Sequence, residues 1–272
     1  MLVRDANVGQ SMCGDDSHLY WIDSRATRLM KASQQGGEVM QLATIEYGGI
    51  VELECDGVFV YWSVFDSGTV SKVAVDGGPV SVIASNQTDV WKLAQDETNV
   101  YWVAGPGTES RNVMKAAKSG AAPSVVASDI RPGDIVSDGG YLYFGTGGAF
   151  EVVRVPRDGG AVARFPANGY TTPIGVSAGQ LYFVEFSIGL SRMSLSGGAV
   201  TNLFKTDALW LKLDYPYAYW KVDGGVQRRS LTSNTEESFL RFNGASGEPG
   251  AFVVGKERVF VGWGANLYVV PK

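Results

Sequence analysis

Val60-Tyr61-Trp62 is followed by Val70-Ser71-Lys72-Val73-Ala74-Val75-Asp76-Gly77-Gly78. The first stretch is a strand ending on an aromatic pair. The second is a basic and apolar strand closed by two glycines. The aromatic pair recurs at Leu19-Tyr20-Trp21, Val100-Tyr101-Trp102, Leu142-Tyr143-Phe144, Leu181-Tyr182-Phe183 and Ala218-Tyr219-Trp220, and in weaker form at Val259-Phe260-Val261. The steps between first aromatics are 41, 40, 42, 39, 37 and 41 residues. A spacing of about 40 is the length of one four-stranded propeller blade.

Each unit repeats the other parts too. The glycine-closed strand returns at Val152 to Gly160, at Leu190 to Gly198 and at Leu29 to Gly37. Asp-Gly and Gly-Gly pairs supply the positive φ of a tight hairpin turn. A short fourth strand follows at Val80 to Ala84, Ser124 to Ala127 and Val200 to Phe204. No segment holds a 3.6-residue period, so almost no helix is expected. The sequence predicts an all-β fold: a seven-bladed β-propeller with four antiparallel strands per blade. Residues 1–272 form one domain in this reading, with blades centred near Tyr20, Tyr61, Tyr101, Tyr143, Tyr182, Tyr219 and Phe260. The aromatic pairs read as packing between neighbouring sheets, because one blade cannot bury both faces alone.

The strands of a blade are lettered A to D in chain order. The last unit supplies A (Ala251 to Gly255), B (Val259 to Trp263) and C (Asn266 to Val270), but no D. Leu2–Asn7 is an apolar stub ahead of the first A strand. Placed as strand D of blade seven, it closes the ring and removes an open sheet edge.

Composition narrows the function. The 272 residues carry a net charge of −5 with no basic block, which argues against nucleic acid. No apolar run approaches the roughly 20 residues of a membrane span. The first seven residues show no apolar signal region. The single histidine, His18, falls in an A–B loop, so neither a Ser-His-Asp triad nor a multi-histidine metal site is on offer at the other face. Cys13 and Cys55 lie on neighbouring first strands. They are either bridged or two buried thiols. No cofactor and no metal is expected. A calcium site from Glu52, Glu54 and Asp134 with backbone carbonyls is the weaker reading of these carboxylates.

Tyr20-Trp21-Ile22-Asp23, with Leu29-Met30-Lys31-Ala32 after it, resembles the YWTD-type repeat, and Val70 to Gly77 fits the second half of that repeat. The chain is similar over essentially its whole length to bacterial YWTD/NHL-like repeat propellers, whose units read Val-Tyr-Trp, then Gly-x-Val-x-Lys-Val, then Gly-Gly. Two departures stand out. Only the first unit keeps the motif's Asp, since Val64 and Ala104 replace it in the next two, and YWTD rings have six blades. The resemblance implies the fold and a secreted, periplasmic or cell-surface location. It transfers no active-site residue.

By analogy with other propellers, ligands meet the face bearing the D–A and B–C loops. There the A strands open on Glu52, Glu54, Trp91, Lys92, Asp134, Trp210 and Lys212, where the repeat normally holds small or apolar residues. The surrounding loops bring Tyr47, Tyr170, Glu185 and Phe186, and also the segments from Glu109 to Arg111 and from Asp129 to Pro132. The charged residues read equally as ion pairs, Glu52 or Glu54 with Lys92 and Asp134 with Lys212. The expected function is a binding module, acting as a monomer, that takes a small molecule, glycan or protein partner through Trp91, Lys92, Glu52, Trp210, Lys212, Tyr47, Tyr170, Phe186 and Glu185. The alternative is a lyase, hydrolase or cyclase using Glu52, Glu54, Lys92 or Asp134. A third possibility is a purely structural repeat module.

Overall fold

A computed structural model of the chain describes residues 1–46, 49–106, 111–146, 149–206, 208, 211–233, 235–242 and 249–272. Among these residues there is no helix, and none long and apolar enough to cross a membrane. Six sheets hold four strands each, ordered as in the chain, and a seventh holds three. The fold is a seven-bladed β-propeller. Met1–Trp91 and Asn243–Lys272 form one compact unit, with blades one, two and seven. Lys92–Phe242 forms another, with blades four to six and nearly all of blade three.

The period-two geometry of a strand explains the aromatic pair. Adjacent residues point to opposite faces of the sheet. Tyr20 packs with Leu53 and Trp62 of blade two, whereas Trp21 packs with Phe260 and Leu267 of blade seven. Tyr143 joins Phe183 of blade five, and Phe144 joins Tyr101 of blade three. The first aromatic seals the next blade and the second seals the one before. Twelve of the largest wholly buried side chains are dominated by these residues, which makes them the core.

Two further devices hold the repeat together. In blades one to four an aspartate stands five residues before the tyrosine, in the A–B turn. Asp15 accepts hydrogen bonds from the backbone N–H groups of Ser17 and His18, both at 2.7 Å, and from the Tyr20 hydroxyl at 2.6 Å. Asp56 does the same with Tyr61, Asp96 with Tyr101, and Asp138 with Tyr143, at 2.6 to 2.8 Å. In blade seven Gly255 replaces the aspartate and Phe260, lacking a hydroxyl, replaces the tyrosine. The second device uses the basic residue of strand C. Lys31, paired across the sheet with Tyr20, donates to the Val75 carbonyl of blade two at 2.7 Å. Lys115 donates to the Arg157 carbonyl at 3.2 Å, and Arg154 to the Leu195 carbonyl at 2.5 Å. Each side chain reaches the C–D turn of the following blade, which Gly77 and Gly78 shape in blade two at φ 91° and 114°.

The closing strand differs from the sequence reading in extent. Val3 pairs with Leu267 as a single antiparallel bridge, and the Asn7 N–H donates to the Ala265 carbonyl at 3.0 Å. The stub therefore takes the fourth place in blade seven, but as one bridge rather than a strand over Leu2–Asn7. Asp5 and Asn7 sit at positive φ, 51° and 46°, which an extended strand cannot hold. Val3 and Ala6 are buried, and Trp21 donates its ring N–H to the Ala6 carbonyl at 2.8 Å. Removing residues 1–7 is expected to cost about 3–6 kcal/mol, from the lost Val3 burial and the orphaned Trp21 N–H. Chemical denaturation of the truncated chain checks this, and a midpoint equal to the parent's contradicts it.

Candidate functional site

Antiparallel strands put the A–B and C–D turns at one end of each blade and the B–C and D–A loops at the other. The first end is occupied by the Asp–Tyr pairs. His18 lies there, as the first residue of strand His18–Asp23, with its Nδ1 2.7 Å from the Ser17 hydroxyl.

At the other end, blades three to five depart from the repeat. Elsewhere four or more residues separate a D strand from the next A strand. Between Ser124–Ile130 and Pro132–Ser137 there is only Arg131. The C strand of blade three, Arg111–Ala117, starts on Arg111, which pairs across the sheet with Ile130. The short link and this register bring the two arginines together at one strand end. Beside them the backbone is bare of side chains at Gly133 and Gly145, the second standing where other blades carry Ser63, Val103 or Val184. A cleft of about 300 Å³ opens here, walled by both arginines, Tyr170 and the three threonines Thr146, Thr171 and Thr172. Among the described residues its wall carries two cationic side chains and no carboxylate.

The walls are held from behind. The Thr171 hydroxyl donates to the Glu151 carbonyl at 2.8 Å, and that of Thr146 to the Ala149 carbonyl at 3.0 Å. The Glu151 carboxylate pairs with Arg164. A Cβ added at Gly145 would collide with the carbonyl oxygen and hydroxyl of Thr171. Gly145→Ala is expected to destabilise by about 1–3 kcal/mol, because blades four and five must separate. A melting temperature at or above the parent's would contradict that packing.

Over the lip lies an aromatic group. Tyr170, Phe150 and Phe186 are each about half exposed, at 50%, 51% and 57%. The Tyr170 and Phe150 rings meet edge to face at 5.0 Å, and the Phe186 N–H donates to the Tyr170 carbonyl at 2.9 Å.

Other residues named from sequence fall as follows. Lys92 and Asp134 meet in an ion pair at 2.6 Å, linking blades three and four, so Asp134 has Lys92 rather than Lys212 against it. Lys92 sits at φ 44°, a left-handed backbone that surroundings must hold in place for a non-glycine residue. Lys212 is exposed on strand Leu211–Asp214. Glu52 and Glu54 are half-buried on strand Ile50–Cys55. Trp91 meets Phe65 edge to face at 6.0 Å. Glu185 was expected at the loops as a ligand contact, but its side chain is wholly buried. It accepts from the Asn168 N–H at 2.6 Å and from the Ser191 hydroxyl. Tyr47 and Trp210 lie outside the described residues. No group of three or more His, Cys, Asp or Glu suited to a metal occurs among the described residues.

Cys13 and Cys55 are joined in a disulfide between the first strands of blades one and two, with their Cα atoms 6.0 Å apart. This resolves the choice between a bridge and two thiols.

No protein-family model and no curated protein matches the chain. Solved structures do. The crystal structure of a Nidogen/Laminin complex is similar with a TM-score of 0.58 at 18% identity, over 70% of this chain and 77% of that one. The computationally designed Ika8 protein is similar with a TM-score of 0.67 at 12% identity, over 100% of this chain and 99% of that one. At these identities the likeness is one of fold, and it agrees with the repeat read from the sequence.

Proposed function

We propose that the protein is a binding module whose recognition site is the cleft at the B–C and D–A ends of blades three to five. The observation that carries this is the juxtaposition of Arg111, Arg131 and Tyr170 around a 300 Å³ cleft, beside the exposed rings of Phe150 and Phe186. Concave sites with a few convergent polar groups are the usual place for a small ligand. Tyrosine, phenylalanine and arginine are also the residues enriched where partners dock. A glycan, a small molecule or the side chain of a protein partner each fits these walls. The disulfide favours an oxidising location, outside the cytosol, at the cell surface or in the periplasm.

A thermal-shift scan against sugars, amines, short peptides and divalent ions tests the reading. A ligand binding the folded state raises its melting temperature by mass action. The expected result is a rise for one class that Tyr170→Ala removes. A rise untouched by Tyr170→Ala, or removed only by changes at Glu52 or Trp91, would place binding elsewhere.

A further inference from the structure

We propose that the cleft recognises a carboxylate-bearing sugar residue, with the carboxylate taken by Arg111 and Arg131 and the sugar ring set against Tyr170. This rests on the cleft being the binding site. Four features lead to the ligand class.

The first is charge. The chain as a whole carries −5, yet among the described residues the ionised side chains in the cleft wall are two arginines. Two nearby carboxylates are engaged by other cations, Asp134 by Lys92 and Glu151 by Arg164. Guanidinium offers five N–H donors in a planar fork, so it can serve a neighbour and still meet a carboxylate side-on. The second feature is construction. The single-residue link at Arg131 and the register of Arg111 with Ile130 fix both arginines on strand ends rather than on long loops. Such placement pre-organises a site.

The third feature is the neutral part of the wall. The Thr146 and Thr171 hydroxyls give their protons to backbone carbonyls, which leaves their oxygens as acceptors for ligand hydroxyls. Tyr170 presents a half-exposed ring, the flat apolar face that the C–H side of a pyranose covers well. The fourth is size. About 300 Å³ is at the small end for ligand sites, suited to one ring with its substituents rather than to a long chain.

Isothermal titration calorimetry with D-glucuronate and D-galacturonate, against D-glucose, D-galactose, inorganic phosphate and a Glu-containing tripeptide, tests the assignment on the full chain. The uronates are expected to bind and the neutral sugars not. Arg111→Met and Arg131→Met should each weaken uronate binding by roughly tenfold or more. Arg131→Lys, which keeps the charge but loses the fork, should fall between, and added salt should weaken binding. Circular dichroism confirms that each variant is folded, and Arg111→Met reports independently if Arg131→Met is not. Neutral sugars binding as well as uronates, with Tyr170→Ala abolishing both, overturns the carboxylate assignment and leaves the cleft as a binding site. Binding of phosphate or the tripeptide alone overturns the sugar assignment and likewise keeps the cleft. Uronate binding unchanged by all the cleft variants overturns both.

Discussion

Between pH 10 and 12 the protein is expected to lose stability steeply. Tyr20, Tyr61, Tyr101 and Tyr143 have hydroxyls raised well above their ordinary range, first by burial and then by the hydrogen bond each donates to its aspartate. In the unfolded chain a tyrosine releases its proton near pH 10. Above that pH the folded state binds more protons than the unfolded one, so stability falls as pH rises. The contribution is intact below pH 10 and disappears as pH climbs toward the folded-state values. Each tyrosine contributes about 1.4 kcal/mol per pH unit, and four together about 5–6 kcal/mol. A domain stable by about 5–15 kcal/mol would unfold within one to three units. Urea midpoints at pH 9, 10 and 11 measure this, and a flat profile across that range contradicts it. At the acid end the sign reverses. Burial alone would raise Asp96, but hydrogen bonds from Tyr101 and from the Thr98 and Asn99 backbone outweigh it and hold the carboxyl at about 2. Its stabilisation is present above about pH 4 and is lost as pH falls toward 2.

Reduction of Cys13–Cys55 is expected to have the next largest effect. The bridge spans 42 residues of chain and ties the first strands of two blades. Closing a loop of that length in the unfolded chain is worth about 4 kcal/mol on a chain-entropy basis. Melting curves with and without reductant, beside the Cys13→Ser/Cys55→Ser double variant, should agree with each other and fall below the oxidised parent by of order 10 °C. Identical melting of the oxidised and reduced protein, with two thiols appearing only on reduction, would contradict this stabilisation, and two thiols counted before reduction would contradict the bridge.

The fold was legible because the repeat writes a structural requirement into every unit. The aromatic pair is visible in sequence since adjacent strand residues must serve two different neighbours, as Tyr20 and Trp21 do. The aspartate five residues before the tyrosine of blades one to four was equally visible, in Asp56 and Tyr61 or Asp138 and Tyr143. Its meaning as a turn cap joined to a buried hydroxyl needed the coordinates. The closing stub was legible in place but not in extent, because the positive φ of Asp5 and Asn7 leaves no mark in composition.

The candidate site was legible only in outline. The sequence named the loops at this end of the blades, with Tyr170, which lines the cleft, and Lys92 and Asp134, which meet in an ion pair. It ranked the opening residues of the A strands first, whereas the cleft owes most to a missing loop at Arg131 and missing side chains at Gly133 and Gly145. Deletions and glycines read as turns in a sequence rich in both. The partner of Asp134 was misjudged for a related reason. Which lysine it meets depends on how each blade's opening strand is turned, and Lys92 reaches it from an unusual backbone conformation. Glu185 looked like a loop carboxylate. Its burial follows from Ser191 and the Asn168 N–H closing over it, contacts between residues that are not adjacent in the chain.

Hydrogen–deuterium exchange, with and without the ligand that gives the largest thermal shift, locates the binding face. Slowed exchange is expected at Arg131 and Gly133, at Gly145 and Thr146, and from Tyr170 to Thr172, with the Asp–Tyr turns at the other blade ends unchanged. Protection confined to Glu52–Glu54, to Trp91 or to those Asp–Tyr turns would contradict it.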